Sequence, residues 1–235
     1  MRIKIAVLDM DGTLLEGFLA AAMAQEIIDV GEGDTAAAGK ALAAVQDYQV
    51  GRIDHDECAR RFYDGYSRAV AGMQTVMLHY LGDRVWQNSK PLLFPFVHEL
   101  LAVLRRRGFS LWLLSGSPEE AILPAARELG MDRAWGLALS VSGGRSTDQI
   151  IRAPALRGEK RTLLQEALPA GNVDWGRSLA IGDSSSDISV LEMVGCPMAF
   201  EPDPALLRIA HQRRWPVTDR QSILAHLQDV HSTAA

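Results

Sequence analysis

The spacing of apolar positions along this chain changes twice. The first apolar run, residues 3–8, has the β-branched and aliphatic composition of a buried strand. Apolar positions then recur every three to four residues until about residue 90, which predicts helices at 18–30, 34–50, 54–70 and 72–85. No strand pattern interrupts these four segments, so the sequence predicts a helical insertion after the first strand.

Strand and helix patterns alternate from residue 91 onward. Predicted strands lie at 110–114, 135–141, 178–181, 197–200 and 215–217. Predicted helices lie at 96–107, 119–129, 159–167, 187–193, 204–211 and 222–230. The Gly143-Gly144 pair predicts a hairpin turn after strand 135–141. This alternation predicts an α/β fold in which helices cover both faces of a parallel sheet.

Composition and charge narrow the function classes. The chain has 235 residues, of which 48% are hydrophobic and 23% charged, as in an ordinary globular protein. A net charge of −5 without a basic stripe argues against a nucleic-acid partner. No apolar run approaches the ~20 residues that span a bilayer, and no signal-peptide core follows Met1. We therefore expect a cytoplasmic protein with no membrane partner, and the sequence fixes no oligomeric state.

Two aspartates stand where the first predicted strand ends. Asp9 and Asp11 follow the apolar run, and Gly12 and Thr13 come next. Two carboxylates about 6 Å apart repel by roughly 2–3 kcal/mol at an effective dielectric constant near 20. Ligands of open α/β sheets bind at the carboxyl ends of the strands. The sequence therefore predicts a cation at this edge of the sheet.

A second predicted strand ends in small polar residues. Ser115 can donate a hydroxyl hydrogen bond to an anion, and the Gly116 backbone N–H can do the same ahead of the next helix. A purely structural interpretation is that Ser117 caps this helix and Pro118 occupies its first turn. The two interpretations are compatible.

Lys160 is the one lysine of the resumed α/β region. It stands at the start of a predicted helix, where a lysine is usually solvated. Arg157 and Arg161 are competing cations, but a compact ammonium suits a phosphate in a crowded site better than a planar guanidinium.

Another predicted strand ends at an acidic residue. Asp183 follows strand 178–181, and Asp187 comes after a run of three serines. An acid in the first turn of a helix explains Asp187, but it leaves Asp183 unexplained. Carboxylates gathered from several strand ends suit Mg²⁺, which binds oxygen ligands together with substrate phosphate.

In chain order these segments resemble the four motifs of the haloacid dehalogenase (HAD) superfamily. The segment 9–13, Ser115, Lys160 and the segment 182–187 carry the resemblance. The segments 115–120 and 201–217 are similar to subfamily IB, the phosphoserine-phosphatase-like branch. The resemblance implies a three-layer Rossmann-like core, residues 1–15 plus 91–235, with a helical C1-type cap at residues 16–90.

The resemblance also implies a mechanism. Asp9 would attack phosphorus and form an aspartyl-phosphate, whereas Asp11 would protonate the leaving group and later activate water. Asp9 must then begin ionised and Asp11 protonated. Ser115, the Gly116 amide and Lys160 would bind the phosphate of a small phosphorylated metabolite.

The implied cofactor is Mg²⁺. Asp9 and Asp183 would bind it through their side chains and Asp11 through its backbone carbonyl, while Asp187 and Ser186 would support the site. Phosphoserine phosphatases usually carry Gly and Asn where this chain has Ser184 and Ser186, which indicates a different subgroup with hydrolysis retained.

The cap departs from the phosphoserine phosphatase pattern. Those enzymes place a glutamate nine residues after the nucleophile, where this chain has Phe18. Arg60 and Arg61 are candidate specificity residues in a cap helix, although their surroundings do not reproduce the family pattern. Phosphoserine is therefore expected to be a poor substrate. The alternatives are phosphoserine phosphatase proper and a phosphate-binding HAD-like module without activity.

Overall fold

The computed structural model describes residues 2–167 and 172–229. The predicted end of the last helix at residue 230, and the end of the predicted core at residue 235, lie outside the described residues.

A mostly parallel sheet forms the centre of the molecule. Its strands are β1 Ile5–Leu8, β2 Ser110–Pro118, β3 Arg133–Ser142, β4 Arg145–Arg152, β5 Leu179–Gly182, β6 Cys196–Phe200 and β7 Val217–Thr218. Within the described residues the strand order is β4-β3-β2-β1-β5-β6-β7. Neighbouring strands run parallel, except that β3 and β4 form an antiparallel hairpin. The hairpin predicted from Gly143-Gly144 is thereby confirmed.

Four helices lie between β1 and β2, as the apolar spacing predicts. They are α1 Leu19–Val30, α2 Thr35–Gln49, α3 His55–Val70 and α4 Thr75–Ser89. Asp34 caps α2 by accepting hydrogen bonds from the Ala36 and Ala37 amides, and Asp54 caps α3 through the Glu57 amide. The later helices are α5 Val97–Arg106, α6 Glu119–Leu129, α7 Glu159–Glu166, α8 Ile188–Leu191, α9 Pro204–Arg213 and α10 Ile223–Asp229.

Strand β1 is buried on both faces, and this makes the fold three-layered. Side chains of a strand alternate between faces, so Ala6 and Leu8 join one hydrophobic cluster while Ile5 and Val7 join another. Residues of α1–α6 and α10 complete the first cluster, and residues of α7, α8 and α9 complete the second. The expected sheet between two helical layers is confirmed.

The four-helix insertion shares the hydrophobic cluster on one face of the sheet. Leu19, Phe62 and Tyr66 belong to the same buried cluster as Leu111 and Leu113 of β2. The division into a core at 1–15 plus 91–235 and a cap at 16–90 stays a prediction.

Strand β2 is longer than predicted. It continues through Pro118, which pairs with Leu137 of β3, and α6 begins only at Glu119 without a side-chain cap. The expectation that Ser117 caps this helix, with Pro118 in its first turn, is therefore wrong. The Ser117 hydroxyl instead donates a hydrogen bond to Asp11, because the extended backbone of β2 places Ser117 beside the end of β1.

None of the helices in the described part of the chain combines the length and the apolar character needed to cross a bilayer.

Close helix packing predicts opposite effects for two helical glycines. A Cβ at Gly82 of α4 would overlap the Glu120 carbonyl oxygen of α6, whereas a Cβ at Gly39 of α2 would have no neighbour within 4 Å. Gly82→Ala should lower the free energy of unfolding by about 1–3 kcal/mol because of overpacking. Gly39→Ala should raise it by up to about 1 kcal/mol through helix propensity. Denaturant unfolding measures both, and equal effects of the two substitutions would contradict this account of the helix packing.

Candidate functional site

The register of the three central strands places the ends of β1 and β5 level with the middle of β2. Leu8 of β1 pairs with Leu113 of β2 and with Ile181 of β5. Asp9 follows Leu8 directly, and its amide donates to the Ile181 carbonyl over 3.1 Å. Because Asp183 also follows Ile181, the structure brings together strand-end residues that lie far apart in the sequence.

Lys160 lies inside this site. Its ammonium is 2.5 Å from Asp9 Oδ1 and 2.6 Å from Asp187 Oδ1, and the residue is only 2% exposed. Arg157 is exposed, and Arg161 donates to the Ser189 carbonyl and to Glu192. Of the three cations considered from the sequence, Lys160 is therefore the one that contacts Asp9.

Three carboxylates form a cluster around the end of β1. Asp9, Asp183 and Asp187 each offer an oxygen, and these oxygens lie within 4.8 Å of one another. Thr13 donates to Asp183 Oδ1 over 3.0 Å, and a Cβ at Gly12 would overlap the Asp183 carboxylate. The positive φ of Gly12, +79°, is a conformation that glycine adopts readily. The turn is therefore shaped closely around this carboxylate.

Asp187 is already well supplied with hydrogen-bond donors. Besides the Lys160 contact, its Oδ2 accepts from the amides of Asp183 and Ser184 and from the Ser184 hydroxyl. The Ser186 hydroxyl lies 2.9 Å from the Ser184 hydroxyl. These contacts hold the turn that follows β5. Asp9 and Asp183 accept fewer hydrogen bonds than Asp187 does, so their oxygens are more available to a ligand.

The carboxylate of Asp11 points away from this cluster. Its Oδ1 accepts from the Leu19 amide over 2.7 Å, and its Oδ2 accepts from the Ser117 hydroxyl over 2.5 Å. Ser115 donates to the same Oδ2 over a longer distance, 3.3 Å, and accepts from the Ser117 amide. Two aspartates that are two residues apart thus have different surroundings: an ammonium lies beside Asp9, and hydroxyls lie beside Asp11.

Burial sets the electrostatics of the site. It raises the pKa of Asp9, while the neighbouring Lys160 ammonium opposes this rise and favours the ionised carboxylate. It also raises the pKa of Asp11, against hydrogen bonds from Ser117 and the Leu19 amide, and that of Asp183. Although burial disfavours the ammonium, the carboxylates of Asp187 and Asp9 raise the pKa of Lys160. The cluster carries more carboxylates than one lysine can balance.

This donor set fits a magnesium ion. Mg²⁺ prefers hard oxygen ligands and uses one or two carboxylates alongside substrate phosphate. The clustered oxygens and the surplus of carboxylates over cations both meet that preference.

A cavity of about 70 Å³ lies against the strand ends. Asp9, Asp11, Asp183, Gly116 and Ser117 line it on the sheet side. Ser115, the hydroxyl expected to face a ligand, is fully buried and is not among the lining residues. Ser117 lines the cavity next to Gly116.

The insertion supplies the opposite wall, and Phe18 belongs to it. Its ring meets that of Tyr48 edge-on at a centroid distance of 6.1 Å. Arg60 and Arg61 do not line the cavity, so their expected place in the specificity site is not supported. Both are exposed and pair with Glu57, at 2.7 and 2.6 Å, because they lie on the outer face of α3.

Sequence reasoning missed the inner face of α3. Cys58, Ala59, Phe62 and Tyr63 line the cavity at helical spacing, and His55 does so at the start of the helix. The apolar period of this segment carries the signal, but the same period also fits a helix that packs in a hydrophobic core.

Tyr63 connects the helical insertion to the end of β2 and to the loop before α7. Its hydroxyl donates to the Gly116 carbonyl over 3.1 Å and accepts from the Ala155 amide over 2.8 Å. Gly116 lies near the carboxyl end of β2, and Ala155 precedes α7, the helix that bears Lys160. One buried phenol therefore contacts both segments.

Comparison with known proteins identifies the family. The model of the haloacid dehalogenase-like hydrolases matches residues 6–192. The chain belongs to this family. The matched region contains every motif that carried the resemblance in the sequence.

Relatives and solved structures are consistent with this membership. The phosphoserine phosphatase SerB2 of Mycobacterium tuberculosis is 27% identical over 207 residues, which cover 88% of this chain and 46% of that protein. A Bordetella pertussis Tohama I protein of unknown function has a TM-score of 0.75 at 23% identity, covering 94% of this chain and 100% of its own. A structure described as a phospho-aspartyl intermediate analogue of phosphoserine phosphatase has a TM-score of 0.68 at 18% identity, covering 96% and 99%.

The relatives and the solved structures support the family and the fold, and they do not extend to a substrate of this chain. The chain spans about half the length of the curated relatives it matches. At these identities the structural likeness shows the fold alone.

Tyr63→Phe should weaken the connection between the end of β2 and the loop before α7. The substitution leaves the Gly116 carbonyl and the Ala155 amide without their partner, so the free energy of unfolding should fall by about 1–3 kcal/mol. Amide hydrogen exchange at Ala155 should become faster. Tyr80→Phe, at a residue that is 56% exposed, is the matched control and should change little. If Tyr63→Phe preserved both stability and exchange, this bridging role would be wrong.

Proposed function

We propose that this chain is a magnesium-dependent phosphomonoester hydrolase that acts on a small phosphorylated metabolite through an aspartyl-phosphate on Asp9. The observation that carries the proposal is the contrast between two carboxylates on one cavity. Asp9 lies beside a buried ammonium, and Asp11 lies among hydroxyl and amide donors. Environments that differ in this way separate a nucleophile from a general acid.

Asp9 acts as the nucleophile. A carboxylate oxygen of Asp9 forms a bond to phosphorus while the bond from phosphorus to the ester oxygen breaks. Lys160 holds the Asp9 side chain and places positive charge next to the transferring phosphoryl group, whose charge is the main demand in this chemistry. The Gly116 amide and the Ser117 hydroxyl, which line the cavity, are the candidate donors to the phosphoryl oxygens, whereas Ser115 is buried behind them.

Asp11 moves the protons. Its carboxyl group gives a proton to the departing ester oxygen, so the alcohol leaves neutral. The ionised Asp11 then accepts a proton from the water that attacks phosphorus and releases both inorganic phosphate and the Asp9 carboxylate. Burial favours the protonated starting form of Asp11, while Ser117 and the Leu19 amide keep the carboxyl oriented.

Asp9 and Asp183 would hold the magnesium ion through their side chains, with the Asp11 carbonyl as a third ligand. When bound, the ion supplies positive charge that stabilises the phosphoryl oxygens. Asp187 positions Lys160 and the β5 turn, as its hydrogen bonds indicate.

Phosphoserine phosphatase proper is the second candidate, and the similarity to SerB2 favours it. Phe18 on the cavity wall and the outward-facing Arg60 and Arg61 count against it. A phosphate-binding module without activity has less support, since the residues required for the chemistry are all present.

Asp9→Asn should abolish phosphatase activity, because a neutral amide is not a competent nucleophile. Release of the aryl alcohol from a generic aryl phosphate, with Mg²⁺ and with a chelator, measures the reaction. We expect a loss of at least about 10³-fold for the variant, since the whole covalent route disappears.

Asp148→Asn is the matched control for Asp9→Asn. It makes the same chemical change at an exposed position of β4 and should leave turnover unchanged. Full hydrolysis by Asp9→Asn, or by the wild type with chelator, would remove Asp9 or the metal from the mechanism.

The proposed ligand set predicts different defects for two other aspartates. Asp183→Ala should weaken Mg²⁺ binding by removing a side-chain ligand, whereas Asp11→Asn should retain the ion and lower kcat. Calorimetric titration of Mg²⁺ into each folded variant separates the two effects. Loss of Mg²⁺ binding in Asp11→Asn together with its retention in Asp183→Ala would reverse the assignment.

A further inference from the structure

The wall of the cavity that the helical insertion contributes is mostly apolar. Among the described residues that line the cavity, the acids are Asp9, Asp11 and Asp183, all at strand ends, and there is no lysine or arginine. The insertion contributes mainly aromatic and aliphatic side chains, represented by Phe18, Val45, Tyr48, Ala59 and Phe62.

Charged residues near this wall in sequence are held outside it. Arg60 and Arg61 pair with Glu57, and Glu16 pairs with Arg220 over 3.1 Å at an exposed position. A charged leaving group that entered the cavity would lose its hydration without gaining an ionic partner from these residues. Burial of an unpaired charge is strongly unfavourable.

His55 is the imidazole on this wall, which also carries the Tyr48 and Tyr63 hydroxyls and the Cys58 thiol. It lines the cavity, and its ring meets Tyr48 edge-on at a centroid distance of 5.6 Å. Its Nδ1 is buried and has no hydrogen-bond partner within the part of the chain that the structure describes. Buried polar atoms are nearly always hydrogen-bonded, so an atom of this kind calls for a partner that the fold does not supply.

Burial lowers the pKa of His55, which favours the neutral imidazole. A neutral imidazole has one donor and one acceptor nitrogen. It can therefore bind a hydroxyl or a carbonyl without adding charge to the apolar wall.

We infer that the leaving group is an uncharged alcohol with an apolar body and one hydrogen-bonding group that binds His55. This substrate class rests on the phosphomonoester hydrolase function proposed above. It follows from what the described residues of the insertion contribute to the cavity wall: aromatic and aliphatic surface, no carboxylate, lysine or arginine, and one unpartnered imidazole nitrogen.

Binding of phosphonates that cannot be hydrolysed tests the inference directly. Propylphosphonate, 3-hydroxypropylphosphonate, 3-aminopropylphosphonate and 2-carboxyethylphosphonate share a three-carbon chain and differ in charge and hydrogen bonding. Calorimetry on the full chain with Mg²⁺ should give at least tenfold tighter binding for the two phosphonates whose organic group is uncharged, with the hydroxypropyl compound tightest. Tightest binding of the amino or the carboxyl compound would overturn the inference.

His55→Phe tests the assigned contact while keeping an aromatic ring in place. The ratio of affinities for the hydroxypropyl and propyl compounds should fall three- to tenfold, the range expected for one lost hydrogen bond. His98→Phe, an exposed histidine on α5, is the matched control and should leave the ratio unchanged. An unchanged ratio in His55→Phe would overturn the role of His55.

This experiment is independent of catalysis. If the wild type hydrolyses an aryl phosphate but prefers phosphonates with a charged organic group, the inference fails and the proposed function stands. If the phosphonates with an uncharged organic group bind best but no ester is hydrolysed, the proposed function fails and the binding preference stands.

Discussion

The buried ammonium of Lys160, shared between Asp9 and Asp187, is the interaction on which the site depends. Burying a lysine costs several kcal/mol unless carboxylates and further hydrogen bonds compensate for lost hydration. Here the two carboxylates come from the end of β1 and from the turn after β5, while the lysine comes from α7. The ion pairs therefore join three separate segments of the chain at one point.

The same arrangement gathers more carboxyl groups than cations. Asp183 lies beside Lys160 and its two aspartate partners. Its carboxylate occupies the space that a side chain at position 12 would fill, where the chain has glycine. One ammonium cannot balance this set of carboxylates, so a divalent cation is the natural complement. Asp11 avoids the cluster because Ser117 and the start of α1 bind its carboxylate. Asp9 and Asp11, two acids of one motif, thereby have surroundings that suit them to different chemical roles.

The helical insertion completes the site rather than merely covering it. Tyr63 binds Gly116 near the end of β2 and the loop before α7, and its neighbours on the inner face of α3 form the apolar wall of the cavity. The sheet edge supplies the charged groups that any phosphoryl transfer needs. The insertion supplies the surface that distinguishes one leaving group from another.

The sequence by itself determined the α/β alternation, the four-helix insertion and the acidic strand ends, because apolar period and strand-end chemistry are local properties. Only the tertiary structure decided that Lys160, rather than Arg157 or Arg161, contacts Asp9, since contacts between distant segments depend on strand register. It also placed Ser117 against Asp11 instead of at a helix cap, because β2 extends to pair with β3. Arg60 and Arg61 face outward because the helix face that meets the cavity is set by packing, which no local pattern specifies.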